Sequence, residues 1–165
     1  MAGPKIDWSK FSIVPDYDSQ DWWEFTKEGK LMARFCDDCN HAWWPPSSIG
    51  CSSCGNFETT TWKESKGSGT VHSFIVVTQP ILGAFVEAVP YVAAIIELDD
   101  LQHGNGTPVM LQGIVDESEE QVGIGSRLDM YWETVSDDGK QNPRWKLSSN
   151  QPSDIWLWRD TASEG

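Results

Sequence analysis

Cys36-Asp37-Asp38-Cys39 and Cys51-Ser52-Ser53-Cys54 are two C-x2-C knuckles with eleven residues between them. Each knuckle turns two thiols to the same side of a tight loop. Two such loops facing each other build the tetrahedral sulfur cage that Zn2+ prefers. Four sulfurs fill every position, so nothing stays open for water or substrate, and the cage reads as structural. Two disulfides or a redox pair are the alternatives, in a chain whose first twenty residues show no secretory pattern. Iron fits the same ligands, because sulfur does not by itself choose between it and zinc. With Cys36, Cys39, Cys51 and Cys54 on one metal, no cysteine of the chain is left to act as a nucleophile.

The stretch around the knuckles, residues 30–57, is rich in turns, with Pro45, Pro46, Gly50 and Gly55, and is too short for an ordinary hydrophobic core. A metal must hold it. Upstream, residues 19–28 read as a short helix: Ser19 or Asp21 caps it, Trp22, Trp23 and Phe25 give it apolar faces, and Gly29 stops it. Residues 1–18 carry Pro4, Pro15, Trp8, Phe11, Ile13 and Val14 without period, the pattern of an extended arm lying on a surface.

Downstream from Trp62 the pattern turns to strands at 69–79, 90–99, 107–116 and 127–135, with a short one near Trp145. Leu128, Met130 and Trp132 alternate with Arg127, Asp129, Tyr131 and Glu133, the period of a sheet with one wet face. Five antiparallel strands with glycine-bearing turns match the strand count of an OB-fold, with a small sandwich as the alternative. The expected fold is mainly β: an N-terminal helix and rubredoxin-like zinc ribbon, then a five-stranded OB-fold barrel. Its expected divisions are arm and helix 1–29, ribbon 30–61, barrel 62–147 and tail 148–165. In the tail, Ile155, Trp156, Leu157 and Trp158 cannot all turn inward from one strand. Trp156 and Trp158 are therefore candidate anchors on a partner or a second copy, unless the tail packs back on its own barrel.

Twenty-five acidic against twelve basic residues give a formal charge of −13, which repels a phosphate backbone and argues against nucleic acid. The longest apolar run, residues 91–96, is too short to span a bilayer, and the expectation is a cytoplasmic protein. Among the histidines, His41 follows the first knuckle and is placed either to hydrogen-bond a sulfur or to face solvent. His72 and Ser73 are adjacent on a strand and point to opposite faces, a poor geometry for a hydrolase pair. The acidic run at 116–120 reads as a solvated loop rather than a metal site. Lys63, Lys66, Arg127, Arg144 and Lys146 either meet ligand phosphates or balance local charge.

Taken in order, Trp22-Trp23-Glu24-Phe25, Gly29-Lys30-Leu31, Arg34-Phe35 before the first knuckle, Pro45-Pro46, the second knuckle with Gly55, Trp62, Gly67-Ser68-Gly69-Thr70-Val71, Pro90-Tyr91-Val92-Ala93 and Ile124-Gly125 resemble one family. It is the zinc-ribbon plus OB-fold family that accompanies thiolase-like enzymes, known as domain of unknown function thirty-five. The likeness covers roughly residues 20–147; the tail departs from it. The resemblance implies a non-catalytic subunit of a hetero-oligomer, with one structural Zn2+ and a partner that supplies the nucleophilic cysteine. Thiolysis of a β-keto acyl-CoA is the leading partner chemistry, with benzoylsuccinyl-CoA or a sterol side chain as fitting substrates; aldolase and acyltransferase partners follow. The loop at 79–90, with Ile81, Leu82, Phe85 and Val86, is the implied lining of the CoA channel. A nucleic-acid-binding module is the competing reading, and a rubredoxin-like electron carrier needs iron in the cage.

Overall fold

In the computed structural model, which describes residues 3–46 and 50–157, a helix and a three-stranded ribbon sheet precede a closed barrel. The helix α1 spans Gln20–Lys27. Ser19 occupies its N-cap but gives no side-chain cap; instead the Asp16 carboxylate accepts the Ser19 N–H at 2.9 Å and so orders the entry turn. At the other end Gly29 sits at φ +72°, its N–H reaching the Thr26 carbonyl and that of Lys30 the Phe25 carbonyl. This closing pair is the Schellman stop, open to glycine because it has no Cβ to clash. Trp22 and Thr26 form the buried face.

Strands β1 (Leu31–Cys36), β2 (His41–Trp43) and β3 (Thr60–Ser65) make the ribbon sheet in the order β2-β1-β3, all antiparallel. The expected division between 61 and 62 falls inside β3, whose ladder partners all lie on β1. Only residues 66 and 67 then separate β3 from the barrel. The barrel strands are β4 (Ser68–Val77), β5 (Tyr91–Gln102), β6 (Pro108–Val115), β7 (Arg127–Thr134) and β8 (Gln141–Leu147). They close in the order β4-β5-β6-β8-β7, with β6 and β8 parallel and β7 returning to β4. That is the five-stranded Greek-key barrel of the OB-fold, and closure removes the exposed edges that an open sheet would present.

On β7 the alternation holds at Leu128, which is fully buried, while Met130 and Trp132 are partly buried against the core. Trp132 spends its indole N–H on the Gly29 carbonyl at 2.9 Å, which ties the barrel to the end of α1. At His72 the alternation breaks, because β4 bulges between Val71 and Ser73. The bulged His72 meets Glu97 on β5, 2.7 Å from Nδ1 to Oε1, and takes no part with Ser73.

Ribbon and barrel share one core. Trp22, Leu31, Ala33 and Ala42 pack in the same buried cluster as Val71, Ile96, Leu111, Leu128 and Trp145. A second, separate cluster joins Ile6 of the arm to Ala84 and Ala88 of the β4–β5 loop. The tail does return to the barrel: Ile124 and Trp156 exchange two backbone hydrogen bonds of 3.0 Å each. Trp158, the other anchor candidate, lies outside the described residues.

Candidate metal centre and barrel clefts

The cage forms because β1 ends at Cys36 and the chain turns at once, bringing Cys39 back beside it. The second knuckle closes on itself through the Cys51 N–H to the Asn56 carbonyl, 2.7 Å, and the Gly55 N–H to the Cys51 carbonyl, 2.9 Å. The four Sγ atoms lie within 4.8 Å of one another, with Cys36 and Cys54 3.8 Å apart and Cys39 and Cys51 3.5 Å apart. A regular tetrahedron with zinc–sulfur bonds of about 2.3 Å has edges of about 3.8 Å. The donor set therefore fits one Zn2+, and a zinc ribbon holds it.

Electrostatics point the same way. The main-chain N–H of Cys39 lowers the Cys36 thiol to about 7, whereas burial, followed by its sulfur neighbours, pushes Cys39 up to about 12. Four sulfurs this close cannot all be thiolates without a cation between them. The half-buried His41 does not reach a sulfur. Its Nδ1 accepts the Gly104 N–H at 3.0 Å, so Nε2 carries the proton and donates to Ser52 Oγ at 2.9 Å. Burial, and after it the His103 ring, lowers the His41 pKa. His103 in turn donates from Nδ1 to the Ala42 carbonyl at 2.8 Å. The two imidazoles thus clamp the β5–β6 turn onto the ribbon, a pairing across more than sixty residues that the sequence does not announce.

Among the described residues, three apolar clefts stand out on the barrel surface. One of about 430 Å3 lies over β5 and β6, between Phe74, Phe85, Tyr91, Ile95, Ile114 and Asn142. A neighbour of about 520 Å3 shares Phe85, Ile114 and Asn142 and is walled on its far side by Trp8, Phe11 and Ile13 of the arm. No charged side chain lines either of them. The third, about 530 Å3, runs between Phe74, Ile75 and Val76 of β4 and the pair Ile124 and Trp156. Among the four residues expected to line a channel, Leu82 and Phe85 border the second cleft, while Ile81 stands 95% exposed and Val86 59% exposed on the loop surface.

Asp116, read from sequence as part of a solvated run, belongs to a buried ion cluster instead. Arg144, 2% exposed, donates to Glu133 at 2.9 Å, to Asp116, and to the Pro4 carbonyl at 3.3 Å. Tyr131 donates its hydroxyl to the same Asp116. Arg127 is committed to Asp99 and to Thr70 Oγ1. Both arginines thus serve internal carboxylates rather than an open phosphate site.

Comparison with known proteins follows the same outline. A family model described as the rubredoxin-like zinc ribbon domain of ChsH2 matches residues 23–60, and one described as the ChsH2 C-terminal OB-fold domain matches residues 62–133. A solved structure titled "Ltp2-ChsH2(DUF35) aldolase" is 26% identical, with a TM-score of 0.67 over 82% of this chain and 98% of that one. A DUF35 protein of unknown function from Sulfolobus solfataricus shares the fold at 15% identity, TM-score 0.53, over 87% and 93% of the two chains. No curated protein matches the chain.

Proposed function

The chain belongs to the ChsH2-type family of DUF35 proteins, a zinc ribbon joined to an OB-fold, and from that premise we propose that it is the non-catalytic subunit of an acyl-CoA carbon–carbon bond-cleaving enzyme. One observation carries the reading: its four thiols converge on a single cage, so the cysteine nucleophile that a thiolysis needs comes from another chain. The uncharged clefts beside the loop at 79–90 suit the acyl and pantetheine portions of a thioester, with Leu82 and Phe85 as the residues at the border. Ile81 and Val86, exposed on that loop, are free to meet the catalytic partner, and Trp156 is the docking residue beside β4.

The related complex is titled an aldolase, which favours a retro-aldol partner over the thiolase otherwise implied by the family. The two are separable by stoichiometry. Thiolysis consumes one free CoA and yields two thioesters, whereas retro-aldol cleavage releases an aldehyde or ketone and consumes no CoA. The nucleic-acid reading has little beside it: the chain carries −13 and the three apolar clefts lack a basic side chain.

Purification from the native source, with mass spectrometry of whatever co-elutes in fixed ratio, tests the proposal. The expected result is a thiolase-like or aldolase subunit and acyl-CoA cleavage only by the pair. Turnover of an acyl-CoA by the highly purified single chain overturns it.

A further inference from the structure

We propose that the N-terminal arm is a strap that holds the β4–β5 loop in place, so that this loop answers to the arm rather than to the barrel. The β4–β5 connection is long for a hairpin, residues 78–90, and has little of its own to fix it beyond a short 3-10 turn at Gly83–Phe85. Its internal hydrogen bonds are the Phe85 N–H to the Leu82 carbonyl and the Ala88 N–H to the Phe85 carbonyl, both 3.0 Å. Beneath it the barrel offers only Tyr91 and Ile114, both partly buried, and the arm supplies the rest of its cover. Ile6, 8% exposed, closes over Ala84 and Ala88, at 1% and 4%, in a cluster distinct from the main core.

Further contacts fasten the strap along its length. The Asp7 N–H donates to the Ala84 carbonyl at 2.9 Å, a main-chain bond between segments more than seventy residues apart. Trp8 meets Phe85 edge to face at 6.2 Å, and Phe85 leans on Tyr91 at 5.7 Å. At its near end the Pro4 carbonyl is held by Arg144. The far end is fixed through α1, where Gln141 on β8 donates from its side chain to the Thr26 carbonyl at 2.8 Å. Between these anchors Phe11 and Val14 stay 40% and 85% exposed, so the middle of the strap rests lightly.

A small cluster with its own hydrogen bonds, separated from the main core, is the physical setting for a segment that opens alone. Opening the strap would remove Trp8, Phe11 and Ile13 from the wall of the second cleft and free Leu82 and Phe85 together. The proposal does not depend on what binds in the clefts, and its test uses the chain without a partner.

Hydrogen exchange followed by mass spectrometry on the full chain, on a variant lacking residues 1–14, and on Asp7→Pro reads the coupling directly. The deletion is expected to speed amide exchange at Phe85 and Ala88 by about tenfold or more while the β5 amides of Val92 and Ile96 keep their protection. Asp7→Pro removes the single donor to Ala84 and should give a smaller acceleration at the same amides; it stands in where the deletion fails to fold. Unchanged exchange at 82–88 in both variants overturns the proposal, because the loop then holds itself. Loss of protection in loop and strands in equal step also overturns it, because the arm is then part of the barrel core.

Discussion

Replacing Arg144 by methionine removes the centre of the buried ion cluster while keeping an unbranched side chain of comparable reach. In the native chain its guanidinium serves Asp116 and Glu133, whose side chains are 13% and 28% exposed, and the Pro4 carbonyl. Without it Asp116 keeps the Tyr131 hydroxyl as a partner but stays an uncompensated charge in a poorly hydrated place. Breaking a buried pair from one side typically costs about 3–5 kcal/mol, and the partial exposure of Glu133 argues for the lower end, about 3 kcal/mol. For a chain of this size that is a fall in Tm of about 6–12 °C. Urea melts followed by tryptophan fluorescence measure it. The companion Arg144→Met, Asp116→Asn double variant should recover part of the loss, since the stranded charge is gone. A single variant within about 1 kcal/mol of the native chain, or a double variant worse than the sum of the singles, refutes the reasoning.

The cage is expected to hold one equivalent of zinc by elemental analysis of reduced protein, and Cys51→Ser should lose both the metal and the ribbon's exchange protection; a visible iron spectrum would point to electron transfer instead. Trp156→Ala is expected to weaken association with the catalytic partner by about 2 kcal/mol while shifting the isolated chain's Tm little, because the side chain is 47% exposed; a large Tm loss with unchanged affinity rules out the anchor role. Tyr131 is pushed up to about 12 by burial and then by its bond to Asp116, so ultraviolet titration should show it ionising well after an ordinary phenol. Since its folded pKa is the raised one, its contribution to stability is complete below pH 10.0 and is lost as pH climbs toward about 12. Ionisation near 10 in the folded chain contradicts the Asp116 contact.

The metal site was legible because its signal is local: two sulfurs on one turn are a property of four consecutive residues, and the cage needs only that two such turns meet. Likewise the alternation along β7 revealed a sheet face, and Gly29 a helix stop, since both rest on neighbours in sequence. The ion cluster was not legible. Asp116 sits in a run of acids that looks solvated, and nothing nearby reveals that Arg144, twenty-eight residues on, is folded against it. The same holds for His41, whose partners Ser52 and Gly104 are chosen by the way the barrel meets the ribbon. A bulge at His72 also escapes pattern reading, because it inserts one residue into an otherwise regular period. Side chains that answer to tertiary neighbours leave no mark in local spacing.

The two-residue step from β3 to β4, together with the shared core and the paired imidazoles, fixes the ribbon on the barrel at several points. Such a joint cannot swing. A protein that grips the ribbon therefore has hold of a rigid handle, and the barrel clefts arrive at a set distance and angle from it. Orientation is transmitted through the body of the molecule, with no search by a flexible tether, so lengthening the step by a few glycines should uncouple grip from alignment even where both halves remain folded.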